Sequence, residues 1–568
     1  MAIVKAENYT FTYPGVRERI LHEVSFTIER GEVVGIIGPM GAGKTTLCLA
    51  MAGLVPHILG GQASGTLEVA NHDWLRQPGQ QQGRQVGMIF DYAGQLTQLK
   101  VFDEVMVPLR HRGMAEPEAA TQARQLLDSV GLEHEALAGR RVWELSEGQQ
   151  QRLAIAAMLA IDPQVLIFDD AMSMLDSQGQ AEMRSILHRL AGEKTLVVVE
   201  QDADLMQSMD RLLVLVGGKL VAQGTPDEIL CQHELLERAQ LEPPLPQRLA
   251  HTLGLPAALY SPKELAQALS AVARNPAPLP PPTDQLGAVL VHLDGVTYCY
   301  PDGAQALTDV HLQVHAGEVH AVTGSSGAGK TTLAKHIAGL VKPTAGTAWV
   351  CGADTRQRRV AELAVTVGTV LQNPDEQISE GTVRDEIRFP LKQRQYERHS
   401  WWSKRQRYDE DYIAERQWQA CELVGIAPDL LDCDPILLPR GQRKLVTMAA
   451  ALMMDPQVLI LDEPTLSLGA AACQHLRQML THLRDLGKAV LLADNKVDFV
   501  AEVADTVTVL EQGRVVLQGP VRTVFAEANW AQLTALALAP PRVAQLAQRL
   551  GVTALTYDEL IAQLRRKT

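Results

Sequence analysis

The chain has 568 residues, 46% hydrophobic and 21% charged, with a formal net charge of −14 and a pI near 5.6. That length is too great for one core and predicts two large domains or more, and the acidity argues against broad nucleic-acid binding. Seven scattered cysteines (Cys48, Cys231, Cys299, Cys351, Cys421, Cys433, Cys473) form no CxxC pair and read as small apolar filler in a reducing cytosol. No apolar run approaches the ~18 residues needed to span a bilayer, and MAIVKAENYTF at the N-terminus does not resemble a secretory signal.

In chain order, the first strong strand is VVGIIG, apolar and β-branched. It runs into GPMGAGKT, and TTLCLAMAGL beyond it has a helical pattern. QRLAIAAMLA predicts a second helix; VLIFD and TLVVVE predict two more buried strands. The same text then returns. GEVVGIIGPMGAGKTTLCLAMAGLV at 31–55 is matched by GEVHAVTGSSGAGKTTLAKHIAGLV at 317–341, and IDPQVLIFDD by MDPQVLILDE. The tails repeat as well: LEPPLPQRLAHTLGLPAALYSPKELAQAL at 241–269 echoes LAPPRVAQLAQRLGVTALTYDELIAQL at 538–564. The chain is therefore a duplication. Between the copies lies ARNPAPLPPPTDQLG, whose prolines lack an N–H for helix or sheet and favour a stiff spacer. The expected organisation is a first core over 1–230, a helical tail over 231–272, a linker over 273–288, a second core over 289–525 and a second tail over 526–568. Strands alternating with helices predict an α/β fold with a mostly parallel sheet in each core.

GPMGAGKT and GSSGAGKT both fit GxxxxGKT, each between an apolar strand and a helix, as the motif requires. Glycines let the backbone curl around a triphosphate with its N–H groups turned inward. The expected ATP contacts are Gly38, Pro39, Met40, Gly41, Ala42, Gly43, Lys44, Thr45 and Thr46 in the first half. In the second they are Gly324, Ser325, Ser326, Gly327, Ala328, Gly329, Lys330, Thr331 and Thr332. Lys44 and Lys330 suit the β- and γ-phosphates, and Thr45 and Thr331 suit Mg²⁺. VLIFDD and VLILDE put an acid at the end of a buried strand, where open α/β sheets bind ligands. Asp169 and Asp462 are thus expected at Mg²⁺, and the next residues, Asp170 and Glu463, near the attacking water.

A phosphate loop, then LSEGQ (or LPRGQ), then LDEP (or FDDA) resembles, in that order, the nucleotide-binding domains of ABC transporters, over nearly the whole chain. The resemblance implies two domains that pair head to tail, here within one chain, each ATP lying between the Walker motifs of one half and the LSGGQ helix of the other. Tyr13 and Tyr300 match the family's adenine-stacking aromatic, although by residue type alone each also fits a plain strand aromatic.

On that pairing the two sites differ. Site one takes Lys44, Thr45, Asp169 and Asp170 with LPRGQ, where Pro439 replaces the signature Ser and Arg440 adds a charge. Proline lacks the N–H but fits the first turn of a helix. Asp91 stands where the family has its Q-loop Gln, and Gln201 where it has its switch His. Site two takes Lys330, Thr331, Gln372 (a further metal contact), Asp462 and Glu463 with Ser146, Gly148 and Gln149, and Asp176 as the D-loop acid. Asn495 occupies its switch position; an amide hydrogen-bonds phosphate without a protonated imidazole's charge. One competent and one degenerate site are expected.

GLVPHILGGQASGTL at 53–67, QNPDEQ at 372–377 and the repeated tail resemble the fused ATPases of energy-coupling-factor importers. That resemblance implies an integral membrane scaffold, a membrane subunit that captures a vitamin, precursor or metal ion, and a place on the cytoplasmic face of the cell membrane. Fused sugar-import ATPases also pair a good and a degenerate site, and soluble ribosome-associated tandem proteins also lack spans; both readings stay open. KQRQYERHSWWSKRQRYDEDY at 392–412 lengthens the helical region of the second half, either as a solvated excursion or as a basic-aromatic contact with a membrane subunit or headgroups.

Overall fold

The computed structural model describes residues 2–564, apart from 16, 76–81, 91–95, 98, 138, 173, 174, 176, 257, 259, 270–286, 302, 395, 401, 402 and 407. The chain divides into two compact units, Met1–Ser261 and Pro262–Thr568.

Each unit is built on a six-stranded sheet. In the first, the order is Lys219–Gly224, Arg211–Val216, Val33–Ile37, Thr195–Val199, Val165–Asp169 and Val86–Ile89. Every pairing is parallel except that of the first two. Val33–Ile37, Val165–Asp169 and Thr195–Val199 are buried along their whole length, which is why they read as unbroken apolar runs. Their side chains alternate between two cores. Val34, Ile36, Val165, Ile167, Val197 and Val199 fill one; Val33, Ile37, Leu166, Phe168, Leu196 and Val198 fill the other. Each such side chain contributes about 1.5–3 kcal/mol. The second unit repeats the order from the other edge: Val367–Val370, Val458–Asp462, Ala489–Ala493, Val319–Thr323, Thr506–Glu511 and Arg514–Pro520.

Each unit also carries a separate four-stranded antiparallel sheet, which the motif reading did not anticipate. In the first its order is Leu21–Glu29, Ala2–Thr12, Gln62–Val69 and His72–Asp73. It is assembled from segments on both sides of the phosphate loop. A helical subdomain completes each unit: Val101–His111, Glu116–Ser129 and Glu147–Ile161 pack together in the first, and Val383–Lys392, Glu410–Val424 and Arg440–Leu452 in the second.

The segment at 392–412 is inserted within the helical subdomain of the second unit. Its backbone forms an antiparallel hairpin, Tyr396–Ser400 with Ser403–Gln406, between the helices Val383–Lys392 and Glu410–Val424. Trp401 and Trp402 lie outside the described residues. The tails are helical: Leu245–Thr252 and Pro262–Ala268 in the first copy, Arg542–Arg549 and Tyr557–Leu564 in the second. Pro262–Ala268 belongs to the second unit, where it packs on Arg542–Arg549 and buries Leu265. The proline-rich stretch 273–286 lies outside the described residues.

A polar cluster underlies the start of the strand Val319–Thr323. Buried Glu318 accepts a hydrogen bond from the His315 amide at 2.7 Å, lies 3.1 Å from His320 Nδ1, and accepts another from the Thr506 hydroxyl. Burial by itself pushes the Glu318 pKa up; His320, Thr506 and the His315 amide together outweigh it and hold the pKa at about 2. A depressed carboxylate stabilises above its unfolded pKa and loses that contribution as pH falls through the folded one. The stability of the second unit should therefore decline as pH drops from about 4.5 towards about 2. Glu318→Gln should be less stable than wild type at neutral pH, and the gap should close across that window. Urea midpoints against pH measure it; a gap that stays constant contradicts it.

Candidate active site

In both units the phosphate loop leaves the end of a central strand and enters a helix. Val33–Ile37 leads through Gly38–Gly43 into Lys44–Met51, and Val319–Thr323 leads through Gly324–Gly329 into Lys330–Ile337. Gly43 and Gly329 are the N-caps, with φ of 91° and 106°, a left-handed region that suits glycine. The lysines are drawn inward. Lys44 Nζ donates to the carbonyls of Gly38 (2.8 Å) and Pro39 (2.9 Å); Lys330 Nζ donates to Gly324 (2.9 Å) and Ser325 (3.1 Å). Burial pushes the Lys44 pKa down, opposed by Asp170 and then Asp169. Ala42, Ala328, Thr46 and Thr332 are buried behind each loop, while Met40, Ser326 and Thr45 keep solvent contact. Tyr13 Oη lies 3.3 Å from Thr46 Oγ1, and Tyr300 Oη lies 3.0 Å from Thr332 Oγ1, so each aromatic stands beside its own loop helix.

Around Glu463 the second unit brings the expected residues together. Gln372 Nε2 donates to Glu463 Oε2 at 3.1 Å, Asn495 Nδ2 donates to Oε1 at 3.3 Å, and Lys330 Nζ is 4.0 Å from Oε1. Glu463 itself has φ of 47°. Asp462, 1% exposed, has neither carboxylate oxygen in a well-formed hydrogen bond. Burial pushes its pKa up, opposed first by the nearby Thr331 hydroxyl and then by Lys330. A buried acid beside a threonine hydroxyl, with acceptor capacity unused, fits a hard divalent cation such as Mg²⁺.

Two supports here escaped the motif reading. Thr465 Oγ1 donates to buried Asp494 at 2.7 Å and its amide donates to the same carboxylate at 3.2 Å, bracing the turn after Glu463. Lys444, on the helix Arg440–Leu452, is 1% exposed and donates to the Glu463 carbonyl at 2.6 Å. Burial pushes its pKa down to about 8, opposed chiefly by Glu463. The signal was present in the comparison of copies: Asp494 and Thr465 align with Glu200 and Met172, and Lys444 with Gln151.

The first unit is differently furnished. Asp170 has the same backbone form, φ 51°, with its amide donating to Val199 at 3.0 Å. Asp169 is buried at the strand end. Met172 offers no hydroxyl to Glu200, whose Oε1 instead accepts the Gln201 amide at 3.0 Å. Asp91 and Asp176 lie outside the described residues.

The signature helices also differ. Ser146 caps Glu147–Ile161: its hydroxyl accepts from the Gln149 amide (3.3 Å), and its own amide donates to Gln149 Oε1 (3.1 Å). Gly148 follows in the first turn of that helix. In the second unit the helix starts at Arg440, so Pro439 is the N-cap itself rather than a first-turn residue, with φ −53° and no side-chain cap. Its ring restricts φ near the value observed, so the helix forms without the hydroxyl.

Each unit thus holds a glycine loop around a buried lysine, with an acid at the end of a nearby parallel strand. That arrangement defines a tandem P-loop nucleotide hydrolase. The ABC transporter family model matches residues 21–173 and 307–466. A Methanosarcina mazei protein, provisionally named as an ABC transporter ATP-binding protein, is 33% identical over 569 residues, spanning 96% of this chain and 93% of the relative. A similarly named protein of Caldanaerobacter subterraneus is 31% identical, spanning 99% of this chain and 98% of the relative. Among solved structures, cbiO1 of Clostridium perfringens, described as part of the ABC transporter complex cbiONQ, aligns with a TM-score of 0.38 and 29% identity. That alignment covers 47% of this chain and all of that one. The chain belongs to the ABC transporter family: it is an ATPase with two ABC nucleotide-binding domains in tandem, using ATP with Mg²⁺.

Proposed function

We propose that this chain is the energy-coupling ATPase of an importer of the energy-coupling-factor type. It powers uptake of a vitamin, precursor or metal ion through a membrane scaffold and a substrate-capture membrane subunit, from the cytoplasmic face of the cell membrane. The two halves pair head to tail, and the catalytic site joins Lys330, Thr331, Asp462, Glu463, Gln372 and Asn495 to Ser146, Gly148 and Gln149. Tyr300 stacks the adenine there, and Tyr13 does so in the other site. The carrying observation is the contrast between the halves. Glu463 is held by two amides and braced from behind, whereas the first half has Asp170, one methylene shorter, and Gln201.

Asp462 and Thr331 hold Mg²⁺, which when bound neutralises charge developing on the phosphates. Lys330 leaves its backbone carbonyls for the β- and γ-phosphates. Glu463 orients the attacking water and takes up its proton, while Gln372 and Asn495 fix the carboxylate. Site one, with Pro439 at its signature, mainly binds ATP. The importer type is supported by the GLVPH loop, where Ile58 is 72% and Leu59 51% exposed, and by the helical tails. No helix among the described residues is long and apolar enough to cross a membrane.

The test is purification from native membranes, identification of the copurifying subunits and small molecule, and reconstitution in liposomes. Gln372→Ala should leave ATP affinity within about twofold while lowering hydrolysis and uptake together by roughly tenfold or more. A complex with a soluble sugar-binding protein, or with ribosomes and no membrane subunit, overturns the reading.

A further inference from the structure

We infer that Lys444 is a positioning residue for hydrolysis: from the signature helix of the second half it pins the backbone of Glu463 and so fixes where that carboxylate points. The inference rests on the reading of Glu463 as the group that orients the attacking water.

Glu463 sits at φ 47°, a region that side chains with a Cβ rarely adopt and that persists only where the surroundings impose it. Both of its peptide groups are held. Its amide donates to Ala493 at 2.7 Å, across to the next strand of the sheet, and its carbonyl receives the Lys444 ammonium at 2.6 Å. With the backbone fixed on both sides, the side chain needs only the two amide donors, Gln372 at 3.1 Å and Asn495 at 3.3 Å, to be set in one orientation. A charged donor to a carbonyl is stronger than a neutral one, and more so where water is excluded.

A buried lysine is unfavourable unless its charge is answered, so its presence 1% exposed inside the helix packing calls for a role. Its surroundings answer the charge: Glu463, Asp494 and Asp462 all favour the ammonium, against Arg440. The duplicated chain supplies an internal comparison. At the matching position the first half has Gln151, also buried, whose neutral amide donates to the Phe90 carbonyl at 2.6 Å, one residue past the strand Val86–Ile89 and one before position 91. The same helix position therefore grips the Glu463 carbonyl in the second half and the residue just before position 91 in the half with Asp170. Arg443, next to Lys444, adds an ion pair with Asp375, three residues beyond Gln372. The signature helix thus holds both the backbone of Glu463 and the loop of the amide that orients its carboxylate.

The experiment uses the full chain. Lys444→Gln installs the residue of the first half, and Lys444→Met keeps the length of the stem without the donor. Each is made in the wild type and in Glu463→Gln. ATP turnover, KM, affinity for a fluorescent ATP analogue and the thermal midpoint are recorded. Both variants should lower kcat by roughly 10–100-fold with KM and ATP affinity within about twofold, because an ångström of misplacement at a reacting group is enough for that loss. In the Glu463→Gln background the same substitutions should change residual turnover by less than about twofold, since Lys444 acts through Glu463. A merely structural lysine would lower activity by the same factor in both backgrounds, or would raise KM and weaken ATP binding. Either result overturns the inference, as does wild-type kcat in Lys444→Gln. Failure of the underlying reading looks different: Glu463→Gln alone would turn over ATP at the wild-type rate, and the role of Lys444 would fall with it.

Discussion

Glu463→Gln is expected to lower steady-state ATP turnover by roughly 10²–10⁴-fold, the range for removing a general base, while Asp170→Asn lowers it by less than about threefold. The two residues share a place at the end of a buried strand and a left-handed φ, 47° and 51°, so backbone geometry does not separate them. Side-chain reach and support do. Glu463 is long enough to meet Gln372 and Asn495 and lies 4.0 Å from Lys330. Behind it, Thr465 is braced on Asp494, whereas the first half has Met172 and Glu200 in those places. The glutamine variant keeps the size and one of the two acceptor oxygens but cannot take a proton, so ATP binding should persist in both variants. Single-turnover assays with a labelled γ-phosphate measure the difference directly. Equal losses from the two substitutions would mean that both halves hydrolyse ATP and that the proposed asymmetry is wrong.

The second large effect is expected at the loop itself. Gly324→Ala should abolish measurable ATP binding to the second half and, with it, nearly all turnover. Gly324 has φ of 155°, and a Cβ there would lie 2.3 Å from the Leu510 carbonyl oxygen, far inside contact distance. That oxygen belongs to a buried sheet strand and cannot retreat, so the loop must move instead. Since the Gly324 carbonyl also receives the Lys330 ammonium at 2.9 Å, the lysine moves with it. A displacement of about 1 Å of a phosphate ligand is enough for a loss near 100-fold. Gly381→Ala is the matched control: no atom lies within 4 Å of a Cβ added there, and its effect should stay within about 0.5 kcal/mol. Fluorescent-nucleotide titration of the two variants separates the outcomes. Wild-type affinity in Gly324→Ala would show that the loop has room that its geometry denies.

The sequence by itself determined the duplication, the two phosphate loops, the strand-end acids and the buried parallel strands. These are local: glycines at fixed spacing set a loop's backbone, and unbroken β-branched runs are what a strand buried on both faces requires. It also carried the inequality of the two signatures, since Pro439 and Ser146 differ in chemistry before any fold is known. Tertiary structure decided the rest, because those contacts join residues far apart in the chain. The antiparallel sheet pairs Val4 with Val69 from across the phosphate loop, so neither strand's own pattern names its partner. The Lys444 grip on the Glu463 carbonyl and the Arg443 pair with Asp375 depend on one helix packing against a strand end and a loop; in sequence both residues read as an ordinary basic pair. The attachment of Pro262–Ala268 to the second unit depends likewise on packing, against Arg542–Arg549. A periodic pattern states that a face must be covered, and only the folded chain states by what.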